Sequence, residues 1–137
     1  TGQGERHPEL FEINRIFNES ARDLESHFKK EEGVLFPFIE SLVKAQQSGQ
    51  PLGDIPFGTV ENPIAMMMHE HSAEGERFEE IVKLTNNYTP PADACNTYKV
   101  TYQMLQEFET DLNRHIHLEN NILFHKAIAL EKQLRQA

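Results

Sequence analysis

The chain has 137 residues, a formal net charge of −9 and a hydrophobic fraction of 38%. This length predicts a single domain over residues 1–137. The 13 basic residues are outnumbered by 22 acidic ones, which argues against binding to nucleic acid or to an anionic membrane surface. The apolar runs are far shorter than a membrane span, and one cysteine with no signal-like start indicates a cytoplasmic protein.

The first predicted helix covers residues 10–42, where apolar side chains recur at steps of three and four. This spacing is typical of a helix in a bundle. His27 and Glu31 occupy positions in the same apolar stripe, one turn apart. Gly33 and Pro37 interrupt the pattern, so we expect a kink or break just after Glu31.

Residues 47–63 are rich in glycine and proline and predict one long loop. A second helix follows over residues 64–84 and again carries a histidine, His71, in its apolar stripe. The Thr89-Pro90-Pro91 turn predicts the start of a third helix that runs to about Arg135, since a hydroxyl cap followed by proline suits a first helical turn.

A ten-residue pattern occurs twice in the chain. Residues 27–36 and residues 115–124 both read H-x-x-x-E-x-x-[V/I]-L-F. A four-residue step on a helix places the histidine and the glutamate on one face, so each copy is half of a predicted metal site. The stripe of the third helix contains Tyr98, Tyr102, Leu105, Phe108, Leu112, His115, Glu119 and Ile122.

Ionisable side chains in the apolar stripes need compensation, because an unpaired carboxylate in a helical core costs several kcal/mol. A metal ion provides that compensation, and imidazole with carboxylate donors and no thiolate suits iron or manganese. One core histidine alone is more often simply hydrogen bonded, but two matching motifs and a third histidine favour a metal. The predicted ligands are His27, Glu31, His71, His115 and Glu119.

The same residues resemble the hemerythrin-like domain of the iron-sulfur cluster repair di-iron proteins, the repair of iron centres family. The resemblance covers nearly the whole chain, and its most specific parts are the runs Thr85–Cys95 and His115–Phe124. The other matching stretches are His7–Leu10, His27–Pro37, Val60–Ile64 and His69–His71. The implied fold is all-α, a hemerythrin-like helical bundle.

The resemblance also implies a centre of two non-heme iron ions. Glu31 and Glu119 would bridge the irons, and His27, His71 and His115 would be terminal ligands. The implied role is repair or protection of iron-sulfur proteins damaged by nitric oxide or oxidants, through iron delivery and reaction with nitric oxide. Whether nitric oxide or oxygen is turned over catalytically stays open.

The chain departs from the family in the region before His7. The family has a further helix there, which carries one histidine ligand, and a second histidine follows it. The chain as given opens with Thr1-Gly2-Gln3-Gly4 and shows neither. We therefore expect the fourth wall of the bundle from an upstream segment or from a second copy in a homodimer, with His7 as an additional metal ligand.

Two alternatives remain at the level of sequence. One is a hemerythrin-type binding module that reversibly binds or senses oxygen without turnover. The other is a helical scaffold whose metal site is incomplete.

His69 and His117 are expected to face away from the site, because each lies two residues from a predicted ligand.

Overall fold

A computed structural model describes residues 7–53, 55 and 57–136. The described residues form long helices, and two of these helices are interrupted by short π-helical segments. The α-helices are α1 (Glu9–Lys30), α2 (Phe36–Ser48), α3 (Glu61–Leu84), α4 (Asn96–Leu118) and α5 (Phe124–Gln136). The π-helical segments are Glu31–Leu35, between α1 and α2, and Glu119–Leu123, between α4 and α5. This architecture confirms the predicted all-α class.

The predicted break after Glu31 is confirmed as the first π-helical segment. The backbone N–H of Phe36 donates to the carbonyl of Glu31, five residues earlier, in place of the usual four. The second segment has the same arrangement, with Phe124 donating to Glu119. It contains neither glycine nor proline, so the signals used for the first break were absent there.

The second π-helical segment also corrects the predicted apolar stripe. The sequence pattern placed Ile122 in the stripe, but its side chain is exposed while Phe124 is buried. One additional residue in a helical turn rotates all later positions by about 100°. The stripe therefore continues from Glu119 to Phe124.

The loop after α2 is close to its prediction. Helix α2 ends at Ser48, and Gly49 follows with φ of 71°, a left-handed conformation that glycine adopts readily. Helix α3 begins at Glu61, so Pro63 lies in its first turn. The predicted loop residues Asp54 and Pro56 lie outside the described residues.

The predicted start of the third helix at Thr89 is wrong, because α4 begins at Asn96. Three consecutive residues after α3, Asn86, Asn87 and Tyr88, have φ values of 50°, 56° and 60°. These left-handed residues form a turn just after α3 and stop the helix from continuing. A short turn then follows, in which Ala94 N–H donates to Pro91 O at 3.0 Å.

The described residues fall into two compact units. Unit one comprises the residues up to Asp23 together with Ser72–His115, and unit two comprises Leu24–His71 together with the residues from Ile116 onward. Unit two has a continuous apolar core, in which α2 packs against α5. The buried side chains of that core are Leu35, Val60, Ile64, Met67, Phe124 and Ala127.

A buried carboxylate fixes the start of α3 in unit two. Glu131 accepts hydrogen bonds from the backbone N–H of Val60 at 2.8 Å and from Thr59 Oγ1 at 2.5 Å, and its side chain is 3% exposed. Because the first N–H groups of a helix lack partners within the helix, a carboxylate there stabilises the helix end. Helix α5 thus holds the N-terminus of α3, the helix that carries His71.

Unit one has an apolar groove between α1 and α4 with a volume of about 460 Å³. Two large apolar side chains, Phe11 and Met104, are 64% and 62% exposed. The groove is lined by residues that include Leu10, Ile13, Phe17, Tyr102, Leu105 and Phe108.

Within the described residues, no helix is both long enough and apolar enough to cross a membrane.

Candidate metal centre

Four predicted ligands converge in unit two. His27, Glu31, His71 and Glu119 each offer a donor atom, and these atoms all lie within 4.8 Å of one another. The four side chains are between 1% and 5% exposed. His27 comes from the end of α1 and His71 from the middle of α3, whereas each glutamate is the first residue of a π-helical segment.

The donor atoms lie close enough together to bind the same cation. His27 Nε2 lies 2.9 Å from Glu31 Oε1, and His71 Nε2 lies 3.0 Å from Glu119 Oε1. The two Nε2 atoms are 3.1 Å apart. Two imidazole nitrogens and two carboxylates, with no thiolate, match the donor chemistry of non-heme iron.

Each histidine of the group is oriented by a hydrogen bond from its other nitrogen. His27 Nδ1 donates to Glu70 Oε1 at 3.0 Å, and His71 Nδ1 donates to Asn120 Oδ1 at 2.7 Å. These bonds leave both Nε2 atoms directed at the glutamate carboxyl groups, on the side where a cation would bind. Such outer partners fix the tautomer of a metal-binding histidine and increase its basicity.

The two outer partners differ in charge. Glu70 also accepts a hydrogen bond from Lys30 Nζ at 2.7 Å, and its side chain is 25% exposed. Although burial raises the pKa of Glu70, the hydrogen bonds from Lys30 and His27 lower it further, so the net shift is downward. Glu70 is therefore anionic at neutral pH, whereas Asn120 is neutral, and His27 is the more strongly polarised imidazole.

The protonation of the group reflects the crowding of negative charge. Burial raises the pKa of Glu31, and the nearby Glu119 raises it as well, against the lowering effect of His27. Burial lowers the pKa of His27, but its contacts with Glu31 and Glu70 raise it by more. Protons thus compensate the buried carboxylates in the metal-free group.

The structure places the remaining predicted ligands as follows. His115 lies one turn before Glu119 on α4 and is partly buried, but it is not one of the four converging residues. His7 lies in unit one, where Nε2 contacts Asp93 Oδ1 at 2.9 Å and Nδ1 lies 3.4 Å from Glu9 Oε1. His7 is therefore held by carboxylates outside the four-residue group.

His69 and His117 are exposed, as the sequence predicted. Sequence reasoning missed both outer partners, Glu70 and Asn120. A signal for them was available, because each lies next to a ligand in the chain, but the sequence could not show which neighbour reaches an imidazole. Asn121, for example, bonds the exposed His117 instead, with 2.8 Å between Nδ2 and Nδ1.

Comparison with known proteins supports the same kind of site. The family model of the hemerythrin HHE cation-binding domain matches residues 1–127. The chain belongs to the hemerythrin HHE cation-binding domain family, whose members are helical bundles.

Its relatives carry a more particular name. The chain is 45% identical to an iron-sulfur cluster repair protein YtfE of Musicola paradisiaca (strain Ech703), 43% identical to one of Yersinia pseudotuberculosis serotype IB (strain PB1/+), and 42% identical to one of Yersinia pestis (strain Pestoides F). Each match extends over 106 residues, which is 77% of this chain and 42% of the relative. The chain therefore spans less than half the length of these relatives.

Replacing Asn120 should weaken metal binding specifically. In Asn120→Leu, His71 loses the acceptor that fixes its tautomer, so the metal affinity should fall by roughly 10–100-fold. The matched control is Asn121→Leu, which removes the neighbouring amide from an exposed pair and should leave the affinity unchanged. Competition with a metal chelator measures both variants. Equal affinities for the two variants would contradict the role given to Asn120.

The metal-free protein should lose stability as the pH rises. A raised pKa in the folded state means that folding favours the protonated form, so the contribution of His27 is complete below 6.5 and that of Glu31 below 4.5, and each is lost as the pH passes the folded-state value. The melting temperature should therefore be lower at about pH 8 than at about pH 6.

Metal should reverse this trend, because it competes with protons for the same atoms. Melting curves at both pH values, recorded with and without ferrous iron, check that the melting temperature falls with pH in the metal-free protein and that iron reverses this change. Glu32→Gln, which alters an exposed glutamate beside Glu31, is the control and should keep the wild-type trend. A metal-free protein whose melting temperature increases as the pH rises between these two values would contradict the protonation assigned to His27 and Glu31.

Proposed function

We propose that this domain holds two non-heme iron ions and takes part in the repair or protection of iron-sulfur clusters under nitrosative or oxidative stress. The observation that carries the proposal is the buried group of His27, Glu31, His71 and Glu119, which fits the cation that the family binds. The names of the relatives supply the biological context. The proposed partners are damaged iron-sulfur proteins, and the proposed small ligands are nitric oxide and oxygen.

The proposed ligand set assigns distinct roles to the two kinds of side chain. Glu31 and Glu119 are the proposed bridging ligands, because a carboxylate can bind two cations and an imidazole nitrogen binds one. His27 and His71 complete the coordination, and His115 is a further proposed ligand. When bound, the irons supply redox chemistry and affinity for diatomic ligands.

The protein side chains prepare this chemistry in three ways. Glu70 and Asn120 hold the histidine nitrogens in the form that binds a cation. Phe124 stacks on His71 with 6.0 Å between the ring centres and 5° between the planes, which restricts the imidazole. Burial of the carboxylates strengthens their attraction for a cation, because little water screens it.

A cluster repair assay tests the function. An enzyme with a [4Fe-4S] cluster is inactivated with nitric oxide, cleared of excess nitric oxide, and incubated with the iron-loaded protein. Its activity should return, while metal-free wild-type protein and free ferrous iron at the same concentration should restore much less.

The variants that test the site are Glu31→Ala and Glu119→Ala. Each should lose at least one iron and the repair activity together. Glu32→Ala, at the exposed neighbour of Glu31, should keep both. Iron content by elemental analysis accompanies each assay. Retention of two irons by both site variants would contradict the bridging role. Reversible oxygen binding without any repair would favour an oxygen-binding module instead.

We also propose that a second copy of the chain covers the apolar groove of unit one. Met104 lines the groove between α1 and α4 and its side chain is 62% exposed, so one surface offers both a protruding apolar side chain and an apolar recess. A symmetric dimer needs a surface that is complementary to itself.

A cytoplasmic location remains an expectation from the single cysteine and the acidic composition.

The oligomeric state tests this second proposal. Sedimentation at micromolar concentration should show a dimer, and Met104→Glu should shift it towards monomer because a charge would enter the apolar contact. Met66→Glu is the control, since Met66 is also exposed, at 53%, but belongs to unit two. A monomeric wild-type protein at these concentrations would contradict the proposal.

A further inference from the structure

Unit one contains a chain of hydrogen-bonding groups that the proposed iron chemistry does not use. The chain begins at the buried phenols of Tyr102 and Tyr98, which are 2% and 4% exposed. It continues through Glu9 and His7 to Asp93, whose side chain is 45% exposed. Two oxidisable rings in the interior are thus connected to a carboxylate at the surface.

Neighbouring groups along this chain lie between 2.9 and 3.4 Å apart. Tyr98 Oη lies 3.3 Å from Tyr102 Oη and donates to Glu9 Oε1 at 3.0 Å. The same Glu9 oxygen lies 3.4 Å from His7 Nδ1. His7 Nε2 contacts Asp93 Oδ1 at 2.9 Å. Each group therefore lies within reach of the next for transfer of a proton.

The direction of the hydrogen bonds singles out Tyr98. Its one hydroxyl proton goes to Glu9, so Tyr102 must be the donor in the bond between the two phenols. Tyr98 thus has a base for its proton and also a donor directed at its oxygen. This is the arrangement that favours a neutral phenoxyl radical, because the proton has an acceptor and the resulting oxygen keeps a hydrogen bond.

Loss of the proton alone is disfavoured at this position. Burial raises the pKa of Tyr98, and the hydrogen bond to the Glu9 carboxylate raises it further. A phenolate would lie in the interior beside a carboxylate. An oxidised phenol is a far stronger acid than a phenol, so the proton can pass to Glu9 when an electron leaves.

We propose that Tyr98 is a one-electron donor whose proton passes to Glu9, so that this unit can intercept strong one-electron oxidants. In the step, the O–H bond of Tyr98 breaks and Glu9 Oε1 gains the proton. One electron goes to the oxidant, a species such as nitrogen dioxide or the carbonate radical. The products are a neutral Tyr98 phenoxyl radical, a protonated Glu9 and the singly reduced oxidant.

The composition of the protein favours such a role for its tyrosines. The chain has three tyrosines and no tryptophan. Tyr88 is also buried and donates to Glu109 at 3.0 Å, but within the described residues no second phenol and no histidine is bonded to that pair. Tyr88 is therefore the matched comparison for Tyr98. In the proposed step Glu9 is the proton acceptor, and Tyr102 positions the phenol oxygen of Tyr98.

Flash photolysis of the metal-free protein with photogenerated tris(bipyridine)ruthenium(III) as the oxidant tests the proposal. A tyrosyl radical should appear in the optical and electron paramagnetic resonance spectra. Tyr98→Phe should abolish most of the signal, and Tyr88→Phe should keep it. Glu9→Gln keeps the shape of the side chain but removes the base, so radical formation at neutral pH should slow by roughly 100-fold.

Two further readouts separate electron donation from a structural role. Tyr102→Phe should preserve the radical but alter its high-field resonance spectrum, because the phenoxyl oxygen loses its hydrogen bond. Circular dichroism and melting curves confirm that each variant is folded. A radical that persists in Tyr98→Phe and disappears in Tyr88→Phe would overturn the proposal, as would a normal rate in folded Glu9→Gln.

Discussion

The burial of two carboxylates beside two imidazoles is the constraint on which the structure of unit two depends. Glu31 and Glu119 are almost inaccessible to water, and each faces a histidine nitrogen at about 3 Å. Ionised groups in such surroundings cost several kcal/mol unless a proton or a cation compensates them. A cation that binds the folded group and not the unfolded chain would contribute directly to the stability of the fold.

The two π-helical segments show how the backbone meets this constraint. Each begins at the glutamate of an H-x-x-x-E motif, and each moves a phenylalanine N–H to the glutamate carbonyl five residues earlier. The wider turn changes which residues face the interior after the site. Phe124 consequently stacks on His71. Distortions of this kind occur often at functional positions in helices, where they place side chains that a regular helix would direct elsewhere.

The helical class and the four converging residues of the candidate site could be predicted because they depend on periodicity. A histidine and a glutamate four residues apart share a helix face in any regular helix, and the repeat of the motif made the inference strong. The first break was predictable from Gly33 and Pro37, but the second was not, since Glu119–Leu123 contains no residue that disfavours a helix. Ile122 was misplaced for this reason.

Partners between elements could not be predicted from spacing along the chain. Glu74, for example, is buried and is held by hydrogen bonds from Ser20 and Arg77. The contact between Ser20 and Glu74 joins residues 54 positions apart in the sequence. The same limit applied to Glu70 and Asn120, whose roles emerge only when α1, α3 and the second π-helical segment are seen together.

The most direct measurement is a crystal structure of the iron-loaded protein with anomalous diffraction recorded on both sides of the iron absorption edge. Iron should appear between His27, Glu31, His71 and Glu119, within bonding distance of both carboxylates. Glu70 and Asn120 should retain their bonds to the histidines. Iron bound elsewhere, with no iron among these four side chains, would contradict the assignment of the metal centre.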